Sequence, residues 1–258
     1  MKSIRKAIQR LLGPPDSDPL VRLLRAWRFW AAAAVLGVLL GSAVYSISPP
    51  PYRARATLVI DFNLEDMLPG YEPRKTFHFL DRETRKAEEI AWADDTLATV
   101  ASEFGGTSVS ELRSGKLLLS QPSDGGWHFW AQDRDPNRAQ ELAALWIKTF
   151  DENISAAIQL SADVEDARSA LADAVYSTED HDLEQIERLT QELSKVSEGA
   201  RGVTPYVGVT ISQSANLPVK RTIPQSVYMF VSAGLFVITA AVVMLFLSQK
   251  PGAESKRG

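Results

Sequence analysis

Two long apolar stretches without a single charged residue, at 29–47 near one end and 227–247 near the other, constrain this chain more than any other feature. A helix rises about 1.5 Å per residue, so about 20 such residues cross the hydrocarbon core of a bilayer. The two stretches therefore read as transmembrane helices, and 48–226 reads as one domain tethered at both ends. The first stretch also invites comparison with a cleaved signal peptide. Its charged flank of about 28 residues and its length beyond an ordinary signal core favour an uncleaved anchor.

The whole-chain net charge of −4 conceals a sharp division. Lys2, Arg5, Lys6, Arg10, Arg22, Arg25 and Arg28 face only Asp16 and Asp18 before the first span, and Lys250, Lys256 and Arg257 face only Glu254 after the second. The middle holds about 18 basic and 29 acidic residues, a net of roughly −11. Positive flanks stay on the cytoplasmic side, so both termini are expected inside and the middle exported. The expected organisation is a basic cytoplasmic segment at 1–28, spans at 29–47 and 227–247, an extracytoplasmic domain at 48–226, and a cytoplasmic tail at 248–258. The chain contains no cysteine, hence no disulfide framework and no thiolate chemistry.

Within the first span Ala33, Gly37 and Gly41 recur every fourth residue, a face of small side chains that lets another helix approach closely. Pro49, Pro50 and Pro51 then force a stiff, extended exit. Residues 53–61 alternate and turn β-branched, which predicts a strand. Residues 63–73 are rich in turn formers. Asp81 is expected to cap a helix running to about Phe104, closed by Gly105 and Gly106, with a short helical turn at 108–113. Two antiparallel strands are expected at 116–120 and 126–132. Asp135 and Pro136 open a helix with no glycine or proline to about Val175, long enough to extend about 60 Å. A turn at 177–181 and a heptad-like seam of Leu183, Ile186, Leu189, Leu193 and Val196 make the return arm of a helical hairpin at about 136–199. Residues 206–212 alternate as a last strand, and 214–224 form an extended linker.

The fold class that follows is membrane α+β: two transmembrane helices flank an extracytoplasmic mixed α/β base. Its first and last strands pair in one mixed sheet with helices on one face, and the hairpin projects from it.

Residues that carry catalysis are hard to find. His78, His128 and His181 stand far apart without metal-ligand spacing, and no phosphate-binding glycine loop or nucleophile elbow occurs. Glu88–Glu89 and Asp94–Asp95 read as a solvated helix face. No catalytic, cofactor-binding or metal-binding residue is expected, and the acidic middle argues against nucleic acid as a partner. The tail of about 11 residues after Leu247 is too short for an output domain. Trp127 and Phe129 fall on one face of their strand and His128 and Trp130 on the other. The first pair is expected in the core; the second meets a helix or forms a sugar-stacking surface.

Four features together resemble the polysaccharide co-polymerases, the Wzz-type chain-length determinants of bacterial surface glycans. They are the two-span topology, the strand start Pro51-Tyr52-Arg53-Ala54-Arg55-Ala56-Thr57-Leu58, the helix start Asp133-Arg134-Asp135-Pro136-Asn137-Arg138-Ala139 matching D-x-D-P-x-x-A, and the approach Pro218 to Pro224. The matching positions are Pro51, Tyr52, Ala54, Ala56, Asp133, Asp135, Pro136, Ala139, Pro218 and Pro224. Arg221 stands where the family's middle proline would be, and the hairpin is shorter than is usual in the family. The resemblance implies a non-enzymatic regulator of the length, and of the export, of a surface polysaccharide or lipopolysaccharide O-antigen. It implies a two-pass protein of the bacterial cytoplasmic (inner) membrane that forms a homo-oligomeric ring. Its implied partners are the polysaccharide polymerase or export machinery, the growing glycan and the lipid bilayer. The competing reading is a two-span exported sensor, or an adaptor subunit of an export complex.

Overall fold

The structure, a computed structural model, describes residues 27–63, 73–121, 126–176 and 183–248. The expected basic arm before Trp27, the turns within 64–72, 122–125 and 177–182, and the tail from 249 lie outside the described residues. In chain order the elements are α1 (Trp27–Ile47), β1 (Tyr52–Asp61), α2 (Pro73–Ala91), α3 (Asp94–Phe104), β2 (Leu117–Ser120), β3 (Gly126–Asp133), α4 (Pro136–Tyr176), α5 (Leu183–Gly199), β4 (Gly208–Gln213) and α6 (Gln225–Ser248). They separate into two compact units: Pro51–Val219, and the flanks Met1–Pro50 with Lys220–Gly258.

In the flanking unit α1 packs against α6, and both are long and apolar enough to cross a membrane. Most of their side chains point away from each other: Leu36, Leu39, Phe230 and Ile238 are exposed. An outward apolar surface on two paired helices is what a lipid environment accepts and water does not. The pair fits a two-pass membrane protein.

The Pro51–Val219 unit is built on a four-stranded sheet in the order β2-β3-β1-β4. Every pairing is antiparallel, so the sheet is not mixed as the strand pattern suggested. β1 lies between β3 and β4, and a register shift at Thr57/Leu58 marks an irregularity against β4. The inward face carries Ala54, Ala56, Leu58 and Ile60 of β1 beside Ala131, Phe129 and Trp127 of β3, all buried. Of the inward cross-strand pairs, Ala54 lies opposite Ala131, Ala56 opposite Phe129 and Leu58 opposite Trp127. The space beside the alanines lets α4 come down on the sheet. Phe129 meets Trp146 edge-on at 4.8 Å and Phe150 at 5.0 Å.

α4 has two parts. Ala139 through Ile154 cover the sheet, and the last buried side chain is Val164. Beyond that the helix is accompanied by α5, whose Ile186, Leu189, Leu193 and Val196 are only half-buried. The hairpin seam is therefore a two-helix arm with apolar surface left over, about 25 Å of helix at 1.5 Å per residue.

The helix expected from Asp81 to Phe104 is two helices. α2 begins at Pro73, a residue suited to the first helical position, and Asp81 lies inside it, paired to Arg85 at 3.0 Å. The break falls at Trp92 and Ala93, with Ala93 extended (φ −61, ψ 147). The carbonyls freed at the end of α2 find distant or downstream side-chain donors. Ile90 accepts from Thr96 Oγ1 at 2.8 Å, Ala91 from Trp146 Nε1 at 3.0 Å, and Trp92 from an Arg113 Nη2 at 2.7 Å. After α3, Ser108 and Glu111 form a reciprocal capping box over one short turn, followed by a wide turn at 112–116.

A buried carboxylate fastens the turn after α5. Glu83 is 1% exposed and accepts from Lys86 Nζ at 2.8 Å, from Arg82 Nε at 3.2 Å and from the Thr204 backbone N–H at 3.2 Å. Lys86 also donates to the Gly202 carbonyl, and Arg201 pairs with Asp95. The turn itself passes through left-handed backbone at Arg201 (φ 49) and Gly202 (φ 68). The Arg201 guanidinium holds the Asp95 carboxyl below its ordinary value of 3.8. Removing one member of a buried, hydrogen-bonded ion pair strands the others. Glu83→Ala is expected to cost about 3 kcal/mol, read as a lowered unfolding midpoint of the detergent-solubilised chain, whereas a loss near zero would show that Lys86 and Thr204 find other partners.

Candidate functional site

The residues that carried the family resemblance fall at the joints of the fold. Tyr52 starts β1 opposite Asp133, and Ala54 and Ala56 are fully buried beneath α4. Pro51 precedes the strand and is half-buried.

The D-x-D-P-x-x-A run is a helix-start device whose parts each have a physical task. Asp133 ends β3, accepts the Asp135 backbone N–H at 3.1 Å, and draws Lys116 (3.6 Å) and Arg138 (3.9 Å) toward it. Asp135 accepts the Asn137 N–H at 2.8 Å, satisfying a helix donor and placing negative charge at the positive end of α4. Pro136 takes the first helical position, where no N–H is needed. Ala139, fully buried, is the first residue of α4 to touch the core. Arg138 lies over the Phe104 ring at 4.4 Å, joining this corner to α3.

Ala33, Gly37 and Gly41 are the buried positions of α1. A Cβ on Gly37 would stand 2.6 Å from Ala233 Cα, and one on Gly41 2.5 Å from the Tyr228 carbonyl oxygen. Tyr45 and Tyr228 meet edge-on at 5.5 Å, and Gln225 Nε2 donates to Ser42 Oγ at 2.9 Å. The small-residue face thus meets α6 of the same chain. Pro224 is exposed just before α6. Arg221, at the place of the family's middle proline, donates from Nη1 to the Pro50 carbonyl at 2.8 Å and ties the two linkers of the flanking unit together. Pro218, in the other unit, is buried. Just before it the chain still follows β1: the Asn216 N–H donates to the Arg55 carbonyl at 3.1 Å, and Asn216 Oδ1 accepts the Arg55 N–H at 2.6 Å.

Among the described residues no cluster of histidine and acidic side chains is placed to hold a metal ion. The most distinctive polar surface is the outward face of the sheet. Trp127 and Phe129 lie in the core, as the alternation requires. Among the described residues α4 packs on the inward face of the sheet, and no helix of this unit covers the face of Trp130 and His128. Cross-strand rows set Gln132 beside Arg53, Leu118 and Arg55 on either side of Trp130, and Ser120 and Thr57 on either side of His128. Arg53 and Arg55 approach the Trp130 ring at 5.8 and 5.5 Å. Trp130 Nε1 donates to Ser120 Oγ at 3.0 Å, and Thr57 Oγ1 lies 3.1 Å from His128 Nδ1. The arginine pair was not singled out from the sequence. Its signal was the strict alternation of arginine with alanine in an acidic segment.

No family model and no curated protein matches the chain. Among solved structures it is similar to a full-length bacterial polysaccharide co-polymerase, over 93% of this chain and 99% of that one, at 10% sequence identity and a TM-score of 0.43.

Proposed function

We propose that this chain is a non-enzymatic regulator of surface-polysaccharide chain length. In this reading it sits in a bacterial cytoplasmic membrane with both termini inside and Pro51–Val219 outside, assembled as a homo-oligomer beside a polymerase or export machinery. The observation that carries the reading is where the resemblance motifs fall. The alanines of the strand start lie under α4, the D-x-D-P-x-x-A run opens that long helix, and Pro218 to Pro224 leads into the second apolar helix. Three short motifs, each at a joint of one architecture, are stronger support than any one alone. The half-buried seam of α5 supports self-association, because a two-helix arm leaves apolar surface that a neighbouring copy would cover.

In this account Pro218 and Pro224 restrict the backbone of the segment that leads into the second span. Replacing both with alanine is expected to shift the modal length of the surface glycan while protein abundance stays constant. An unchanged length distribution at normal abundance would count against the reading. It would turn attention to the adaptor and sensor alternatives, which predict a co-purifying partner and no length phenotype.

A further inference from the structure

We propose that the outward face of the sheet binds the carboxylates of an acidic glycan, anchored by the Arg53 and Arg55 guanidiniums beside Trp130. The identity of the polymer rests on the regulator reading; the charge and geometry of the face stand without it.

β1 sends Ala54, Ala56 and Leu58 into the core, so strand alternation places Arg53, Arg55 and Thr57 together on the opposite side. Neither guanidinium meets a carboxylate among the described residues. Arg55 donates from Nη2 to Gln213 Oε1 at 3.2 Å, and Gln132, with its amide oxygen turned toward the strand, accepts from Arg53 Nη2 at 2.7 Å and Nε at 3.0 Å. These partners are neutral, so neither positive charge is paired with a carboxylate among the described residues. The carboxylate next to them across the sheet, Asp133 opposite Tyr52, faces Lys116 and Arg138 instead. The segment around this island carries a net of roughly −11. A polyanion is repelled by most of such a surface and is held only where cations are gathered.

Both guanidiniums lie beside the Trp130 ring, 5.8 and 5.5 Å from its centroid, and their N–H groups that do not donate to Gln132 or Gln213 can be shared with a carboxylate. Around them stand a hydroxyl, an imidazole and two amides: Ser120, His128, Gln132 and Gln213. Donors and acceptors of mixed kind beside an aromatic ring suit a sugar, which presents both hydroxyls and apolar C–H edges. Among the described residues the face has no broad apolar centre on which a second protein would seat: Leu118 borders Trp130, and little else on it is apolar and exposed. Its exposed apolar side chains, Leu118 and Val59, stand apart on β2 and at the far end of β1.

The test uses the full chain in nanodiscs of zwitterionic lipid, titrated calorimetrically with oligogalacturonate and with an uncharged dextran oligomer of equal length. Oligogalacturonate is expected to bind, more weakly as salt rises, and dextran is not. Arg53→Gln with Arg55→Gln should weaken binding at least tenfold at an unchanged melting temperature. Arg53→Lys with Arg55→Lys, which keeps the charge and loses the planar fork, should fall between, and it serves as the test should the glutamine variant not fold. No binding by the unaltered chain overturns the proposal, and so does undiminished binding by the variants. Variants that bind normally but lose oligomeric mass also overturn it, and reassign the face to a contact between copies. Failure of the regulator reading shows separately, as an unchanged glycan length in a deletion strain while oligogalacturonate still binds.

Discussion

Trp146→Ala is expected to remove about 4 kcal/mol from the stability of the Pro51–Val219 unit, the largest loss from any single truncation in it. The indole is fully buried and lies where three elements meet. It touches Phe129 of the sheet at 4.8 Å and Trp92 at 5.1 Å, where α2 gives way to α3. Its N–H also satisfies the Ala91 carbonyl at the end of α2. Truncation leaves a cavity and an orphaned buried acceptor together, and the second term alone is about 1–3 kcal/mol. A unit of this size loses about 2–4 °C of midpoint per kcal/mol, so the thermal transition should fall by about 10 °C or more. Trp146→Phe separates the two terms. It keeps most of the ring packing and loses the hydrogen bond, so a smaller drop of about 1–2 kcal/mol is expected. Equal losses in both variants would mean that the N–H, not the packing, dominates. A loss below about 1 kcal/mol in the alanine variant would contradict the placement of Trp146 at the centre of this core.

The second large effect is expected in the membrane-type helices. Gly37→Leu with Gly41→Leu places side chains where a bare Cβ already stands 2.6 Å from Ala233 Cα and 2.5 Å from the Tyr228 carbonyl oxygen. Backbone atoms cannot rotate aside, so α1 and α6 must separate. The cost of overpacking is about 1–3 kcal/mol per site where a core can adjust, and two sites on one helix face leave little room for adjustment. Because the chain has no cysteine, separation is readable by crosslinking. Tyr45→Cys with Tyr228→Cys introduces a thiol pair where the two rings now meet at 5.5 Å. A short bismaleimide should join α1 to α6 in high yield, falling at least fivefold when both glycines are leucine. Undiminished crosslinking would show that the small-residue face is not what brings the helices together.

What the sequence disclosed depended on how local the determining physics is. The two apolar helices, the long α4, the β2–β3 pair and the inward Trp127 and Phe129 follow from periodicity and composition, which any reader of the chain can see. The helix start at Asp133 to Ala139 was legible for the same reason: its capping bonds span two residues.

The break between α2 and α3 was not legible. The apolar period runs straight through Trp92 and Ala93, and the Ala91 carbonyl is satisfied by Trp146, 55 residues further on. Asp81 looked like a cap because aspartate commonly is one, yet the helix had already begun at Pro73. Sheet direction was misread because the order β2-β3-β1-β4 joins strands far apart in the chain. The outward face of the sheet shows the same limit from another side. Alternation showed that Trp130 and His128 leave the core, but which elements pack on that face is decided by tertiary arrangement. The expected helix contact is absent among the described residues, and the arginine pair takes its place beside Trp130.

The central claim is that this chain sets the length of a surface glycan. It is tested most directly by resolving extracted surface polysaccharide on a gel from three strains: parent, deletion, and deletion carrying this gene. The account predicts a modal length in the parent, a broad distribution without that mode in the deletion, and the mode restored on complementation. The same ladder in all three strains would contradict it.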